Sequence, residues 1–150
     1  LGTYFITMDD KGRTSMPAKF REVLNSNYTT ELIVTHIENY LVAYPRDEWL
    51  QLVERARQSQ GLNRDGRSFL RLFFARATQC SLDNQGRMLI APHLRQLAAL
   101  QRELVLVGNL NRIEVWSNER WEAFVAEYQE RYSEVADDLM GESGIAPLGL

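Results

Sequence analysis

The chain contains a single cysteine, Cys80, and no apolar run near the roughly 18 residues that a membrane-spanning helix needs. A lone thiol cannot form a disulfide within one chain, which indicates a reducing, cytoplasmic compartment. The first residues lack the basic start and long apolar core of a signal peptide, so none is expected. These absences exclude a disulfide scaffold and a transmembrane protein. With 150 residues, the chain can bury a sizeable core without a metal ion.

Charge is unevenly distributed along the chain, although the net charge is only −3. Segments 1–21 and 61–102 carry net charges of +2 and +5, whereas segments 22–60 and 103–150 carry −3 and −7. Such segregation allows a chain with an acidic overall composition to present a basic surface to a polyanion.

An internal repeat organises the sequence. The motif Asp-x-x-Gly-Arg runs from Asp9 to Arg13 and recurs 74 positions later, from Asp83 to Arg87. Further residues match in the same order after both copies of the motif, which is typical of a duplicated unit. The later matches lie 72 positions apart and pair Leu32-Ile33-Val34 with Leu104-Val105-Leu106, Tyr44 with Trp116, and Trp49 with Trp121.

Each repeat is predicted to run strand, turn, strand, short helix, two strands and helix. Gly12 and Gly86 are expected at positive φ in tight turns, and Pro17 and Pro92 suit the first turn of a short helix. Hydrophobic periodicity predicts the other elements. The strands are expected at 3–8, 13–16, 32–37, 41–44, 77–82, 87–91, 104–107 and 113–116, and the helices at 47–58, 68–78 and 119 to about 140.

This pattern divides the chain into four parts. The first repeat is expected at 3–48, connecting helices at 49–76 and the second repeat at 77–120. A long C-terminal helix and a frayed tail are expected at 121–150.

Two motifs carry a resemblance to a known family. Asp-x-Lys-Gly-Arg followed by Pro17 and Arg21, and Asp-x-x-Gly-Arg followed by Pro92 and Arg95, resemble the MraZ family of bacterial transcriptional regulators. The resemblance covers nearly the whole chain, and each repeat is similar to an AbrB-like (SpoVT-AbrB) half-unit. It implies an α+β fold in which two tandem AbrB-like swapped-hairpin repeats close one pseudo-twofold β-barrel, flanked by helices and a long C-terminal helix.

The resemblance also implies a function. The family is known as a ring-forming, DNA-binding regulator upstream of a division and cell-wall gene cluster, and it recognises short G-rich direct repeats. It implies a repressor of the chain's own gene cluster, located in the cytoplasm and associated with the nucleoid. The expected partners are double-stranded promoter DNA and further copies of the chain in a ring-like homo-oligomer. No membrane, small-molecule substrate or cofactor is expected.

Cations at the two turns are the candidate DNA-binding residues: Lys11, Arg13 and Arg87. Asp9 and Asp83 each precede an arginine by four residues and are expected to orient its guanidinium, leaving a free edge for guanine or phosphate. The alternative is an ion pair that only locks the hairpin.

Three further cations are possible contacts: Lys19, Arg21 and Arg95. Both arginines are expected at the ends of short helices, where they could instead pair with helix carbonyls or with acids of the opposite repeat. The second copy of the motif has Gln85 in place of Lys11, so a phosphate contact by Lys11 is expected in one half.

Catalytic chemistry is not indicated, and the chain is predicted not to be an enzyme. His36 and His93 have no Cys or acid at metal-ligand spacing, so no metal site is expected. Adjacent Asp9 and Asp10 should point to opposite faces of a strand, which is unsuitable for a carboxylate dyad. Two alternatives to a DNA-binding regulator stay open: an antitoxin-like interaction module, and a scaffold with little DNA role.

Overall fold

Strands dominate the first of two compact units, Leu1–Asn118, whereas the second, Glu119–Leu150, contains helices. The computed structural model describes residues 2–26 and 30–140. The first unit contains β1 (Gly2–Thr7), β2 (Arg13–Ser15), α1 (Ala18–Ser26), β3 (Glu31–Ile37), β4 (Tyr40–Pro45), α2 (Arg46–Gln58), α3 (Arg64–Ala75), β5 (Thr78–Ser81), β6 (Arg87–Leu89), α4 (Pro92–Leu97), β7 (Glu103–Asn109) and β8 (Arg112–Ser117). The remaining helices are α5 (Asn118–Gln129) and α6 (Tyr132–Met140).

The two repeats exchange strands, as the resemblance implied. A six-stranded sheet has the order β1-β7-β8-β4-β3-β5, and β2 pairs with β6 in a separate two-stranded ribbon. β1 of the first repeat pairs with β7 of the second, and β5 of the second repeat pairs with β3 of the first. Neither half can therefore complete its sheet alone.

The prediction of a closed barrel is wrong for the residues that the structure describes. The hydrogen-bonded sheet is open, with β1 and β5 at its edges. The strands that could have continued it, β2 and β6, pair with each other instead. A single bridge between Met8 and Thr14 links this ribbon to the end of β1.

The strand registers obey a pseudo-twofold relation. In the ribbon, Thr14 faces Met88, which is its equivalent 74 positions later. In the large sheet, Val42 faces Glu114, which is its equivalent 72 positions later. Because each pair joins a residue to its own counterpart, both pairs lie on the axis that relates the repeats.

The hydrophobic core repeats the same correspondence. Side chains at alternate positions of β3, β4, β7 and β8 point to one face of the sheet and pack with buried residues of α1 and α4. Each such fully buried aliphatic side chain contributes roughly 1.5–3 kcal/mol. The matched buried pairs are Leu32 with Leu104, Val34 with Leu106, Leu41 with Ile113, and Ala43 with Val115.

Aromatic side chains cover part of the other face of the sheet. Trp49 of α2 lies 5.8 Å from Tyr44 and 5.7 Å from Phe73, measured between ring centroids. The buried Thr35 hydroxyl on β3 donates a hydrogen bond to the Phe73 carbonyl at 2.6 Å. These contacts hold α2 and α3 against the sheet.

The helices differ from prediction at both ends of α3 and in the C-terminal segment. α3 ends at Ala75 rather than at 78, because β5 already begins at Thr78. α3 begins at Arg64 rather than at 68, because the Asn63 side chain caps it by accepting the Gly66 N–H at 2.8 Å. The long C-terminal helix is two helices, since α5 ends at Gln129 and α6 begins at Tyr132. The predicted frayed tail, 141–150, lies outside the described residues. Within the described residues, each helix is too short or too polar to cross a membrane.

Candidate functional site

Asp9 holds the first turn by both of its carboxylate oxygens. Its Oδ1 accepts the N–H groups of Lys11 and Arg13 at 3.0 and 2.9 Å, and its Oδ2 accepts Arg13 Nε at 2.7 Å. The Gly12 N–H closes the turn by donating a hydrogen bond to the Asp9 carbonyl at 3.0 Å. The Gly12 φ of +86° is the left-handed conformation that the sequence predicted.

The second turn reproduces this geometry with Asp83. Oδ1 accepts the N–H groups of Gln85 and Arg87, each at 2.9 Å, and Oδ2 accepts Arg87 Nε at 2.9 Å. Gly86 has a φ of +73° and donates to the Asp83 carbonyl at 2.9 Å. The predicted Asp–Arg pairs are therefore present in both repeats.

The carboxylates of both turns are stabilised as anions. The backbone N–H of Arg13 is the largest cause that holds the pKa of Asp9 below its ordinary value of 3.8, and the Arg13 side chain acts in the same direction. The backbone N–H of Arg87 lowers the pKa of Asp83 in the same way. Each arginine therefore keeps a charged partner at neutral pH.

The β2–β6 ribbon brings the two arginines together. Thr14 and Met88 are buried, so the residues on either side of them point outward. Arg13 pairs with Leu89, which lies two positions beyond Arg87. The arginines are therefore diagonal neighbours on the ribbon, with Cα atoms roughly 7 Å apart. Their side chains are 32% and 28% exposed. One exposed face therefore carries both guanidinium groups, each anchored through its Nε.

A cleft of about 290 Å³ lies beside this face. Arg102, which sequence reasoning did not single out, reaches it because its carbonyl accepts the Met8 N–H at 2.7 Å. No motif includes Arg102; the excess of arginine between 61 and 102 was the one available signal. The cleft is lined by Thr7, Met8, Asp9, Asp10, Arg13, Ser15, Arg87 and Arg102.

The other predicted cations lie elsewhere. Arg95 packs over Gly12 of the opposite repeat, and Arg21 packs over Gly86 in the equivalent position. These contacts join the two repeats. Lys11 is exposed at the tip of the first turn, and Lys19 is exposed in the first turn of α1. The structure thus unites Arg13 and Arg87 but does not bring Lys19 into the cleft.

The described part of the chain contains no group of three His, Cys, Asp or Glu side chains placed to hold a metal ion. Cys80 is buried, and its thiol donates to the Leu89 carbonyl at 3.3 Å. Burial raises the pKa of this thiol above its ordinary value of 9.0. These features give Cys80 a packing environment rather than that of an activated nucleophile.

The fold and the site define a class of tandem-repeat protein, in which two halves exchange strands and bring two Asp–Arg turns to one face. The chain belongs to the MraZ family: the family model described as "MraZ protein, putative antitoxin-like" matches residues 1–72 and again 73–142. A "Transcriptional regulator MraZ" of Moorella thermoacetica is 39% identical over 140 residues, covering 93% of this chain and 96% of the relative. A protein of the same name from Syntrophobacter fumaroxidans is 37% identical over 134 residues, covering 89% of each chain.

Proposed function

We propose that this chain is a DNA-binding transcriptional regulator that contacts DNA through the outer face of the β2–β6 ribbon. The observation that carries the proposal is the pair Arg13 and Arg87, each held by its own aspartate on one exposed face. The names of the two relatives support a regulatory role. The proposal assigns no catalytic step to the chain.

The chemistry of the pair suits DNA. An arginine anchored through Nε keeps its terminal nitrogens for guanine O6 and N7, or for a phosphate. Because Asp9 and Asp83 already restrict the two guanidinium groups, less side-chain entropy is lost on binding. Lys11 is a phosphate contact at the tip of the first turn, and Gln85 supplies no charge at the second.

The finer parts of the proposal rest on the family resemblance. The chain represses its own division and cell-wall gene cluster, and it binds short G-rich direct repeats as a ring-like homo-oligomer. The opposite charges of 61–102 and 103–150 favour head-to-tail contacts between copies, which close into a ring where the rotation permits. The protein then acts in the cytoplasm, at the nucleoid.

A gel-shift experiment tests the proposal. The full chain is titrated against a duplex from the DNA upstream of its own gene and against an unrelated duplex of equal length, at stated salt. We expect a clear preference for the first duplex. Arg13→Ala and Arg87→Ala should each weaken binding. Arg57→Ala, which removes an exposed side chain of α2, should not.

Equal binding to both duplexes would contradict sequence-specific recognition. Failure to bind either duplex, with a normal fold and assembly, would favour the antitoxin-like or scaffold alternatives. If both arginine variants bind the upstream duplex as wild type does, the chain contacts DNA through a surface other than the β2–β6 ribbon.

A further inference from the structure

The pseudo-twofold relation identifies the counterpart of Arg102. The Met8 N–H donates to the Arg102 carbonyl at 2.7 Å, and the Leu82 N–H donates to the Thr30 carbonyl at 3.1 Å. Leu82 lies 74 positions after Met8, and Arg102 lies 72 positions after Thr30, the two offsets of the repeat. The same backbone contact therefore presents an arginine beside the first turn and a threonine beside the second.

Other positions around the turns differ as well. The first turn has one additional lysine and one additional aspartate, and the strand that follows it has a serine where the strand after the second turn has an exposed leucine. With the arginine, this gives the surroundings of the first turn two more cations and one more anion. The unequal pairs are Arg102 and Thr30, Lys11 and Gln85, Asp10 and Asn84, and Ser15 and Leu89.

Arg102 is available for a ligand. It is exposed, and it lines the cleft together with Arg13 and Arg87. Both of those arginines are paired with an aspartate of their own turn. Among the described residues, the Arg102 side chain makes no hydrogen bond or ion pair that would hold it or neutralise it. An exposed guanidinium with no such partner among the described residues, beside two that aspartates hold, suits a phosphate rather than a base edge.

We propose that Arg102 is a positioning residue of the DNA interface, which binds a backbone phosphate beside the first turn and gives a pseudosymmetric face a direction. This inference rests on the proposed function. Two equivalent arginines alone would accept a duplex in either orientation. Phosphate contacts on one side only, by Arg102 together with Lys11, favour one orientation, so every copy of the chain binds a direct repeat in the same orientation.

Exchange of the two unequal residues tests the inference. Binding of the duplex from the chain's own upstream DNA is measured against salt for wild type, Arg102→Thr, Arg102→Lys, and the exchanged variant Arg102→Thr with Thr30→Arg. Arg57→Thr is the control for loss of one exposed positive charge. Thermal unfolding of every variant verifies its fold.

Loss of a phosphate contact has a defined signature. Arg102→Thr should raise Kd roughly fivefold to tenfold near 0.1 M salt and reduce the salt slope by about 1 per bound chain. The ratio of affinities for the upstream and unrelated duplexes should hardly change, because phosphates carry little sequence information. Arg102→Lys should keep most of the affinity, and the exchanged variant should recover it.

Cleavage of the bound DNA reports the orientation in which the chain binds each repeat. An iron chelate is attached to Asn84→Cys at the exposed second turn, where Cys80 does not compete because it is buried. For this readout the exchanged background also carries Lys11→Gln and Gln85→Lys, because Lys11 is itself a phosphate contact on one side only. The wild-type background should cut one side of each repeat, and this fully exchanged background should cut the other side.

The outcomes separate the two proposals. If wild type shows no preference for the upstream duplex, the proposed function fails. If wild type binds specifically but Arg102→Thr behaves like Arg57→Thr, the inference about Arg102 is overturned. Cleavage on the same side in both backgrounds would overturn its role in orientation.

Discussion

Arg95 of the second repeat lies directly over Gly12 of the first. A Cβ added to Gly12 would stand 2.7 Å from the Arg95 guanidinium carbon, so the Arg95 side chain would have to shift. Gly86 and Arg21 form the equivalent contact, with Arg21 Cδ at 2.7 Å from the same hypothetical atom. The glycines thus serve two purposes, since they also occupy positive φ. In each repeat, the turn that carries the candidate DNA contacts therefore packs against an arginine of the opposite repeat.

Gly12→Ala is expected to lower the free energy of unfolding by about 1–3 kcal/mol, because alanine is strained at positive φ and would also displace Arg95. Denaturant unfolding measures the change. Adding Arg95→Ala to this variant should relieve part of the loss, which a double-mutant cycle would quantify.

Gly61 provides the matched control for that prediction. Its φ is +72°, but no atom lies within 4 Å of the added Cβ. Gly61→Ala should therefore report backbone strain alone and cost less than Gly12→Ala. Equal costs at the two positions would show that contact with Arg95 adds nothing.

The turn aspartates should make stability depend on acid. Their pKa values lie below the ordinary 3.8 in the folded chain, so their contribution is present above pH 3.8 and is lost as the pH falls through the folded values. Asp9→Asn keeps an acceptor for the turn but loses the charge. Its melting temperature should lie below wild type at neutral pH and converge with it in acid. A constant difference across this range would contradict the prediction.

Much of this architecture follows from repetition in the sequence. Residues matched by the two offsets occupy equivalent strands, and the glycine of each turn has the predicted conformation. Asp9 and Asp83 were predicted to orient Arg13 and Arg87, and the hydrogen bonds show it. Such features are local, since the spacing of a short motif determines which groups can meet.

Features that depend on distant contacts were not predictable. Nothing in β2 or β6 indicates that they pair with each other and leave the large sheet open. The break between α5 and α6 contains neither Gly nor Pro, so a helical period continues through Glu130 and Arg131. Arg102 belongs to no motif, because its position results from the pairing of β7 with β1.

Tyr40 should make the fold sensitive to alkali. Its ring stacks on Trp116 at 4.4 Å between centroids. Burial, followed by the nearby Glu114 carboxylate, raises the pKa of Tyr40 from 10.0 to about 12. Its contribution to stability is therefore present below pH 10 and lost as the pH rises through about 12.

Tyr40→Phe isolates this effect from the titration of other groups. The variant keeps the stack on Trp116 but cannot ionise at position 40. Its free energy of unfolding should fall less than that of wild type between about pH 9 and about pH 12. Parallel losses in the two proteins would show that another group causes the alkaline instability.

Cys80 should react slowly with thiol reagents in the native chain. It is buried, its pKa is raised by burial, and it lies on the edge strand β5 opposite Leu32. Modification therefore requires local opening, and its rate should rise with mild denaturant. Asn84→Cys supplies an exposed thiol for comparison. If both thiols react equally fast, β5 opens freely in the native state.

The effect of Arg13→Ala on DNA binding should grow with the number of repeats in the duplex. The proposed ring-like oligomer would present one copy of the arginine per chain, and each contact after the first would be intramolecular. On a duplex with one repeat, the loss should resemble that of one bidentate pair, about 1–3 kcal/mol. On a duplex with several repeats, losses at each engaged chain should add, so the ratio of Kd values between variant and wild type should increase.

Titration of both proteins against duplexes with one, two, three and four repeats measures this ratio. Arg13→Ala should keep the melting temperature and oligomeric size of wild type nearly unchanged, because an exposed ion pair contributes little to stability. Arg57→Ala, with its exposed side chain on α2, should give a ratio near one on every duplex. A ratio for Arg13→Ala that stays constant as repeats are added would indicate that a single chain engages the DNA. Unaltered binding on every duplex would show that Arg13 only locks its turn.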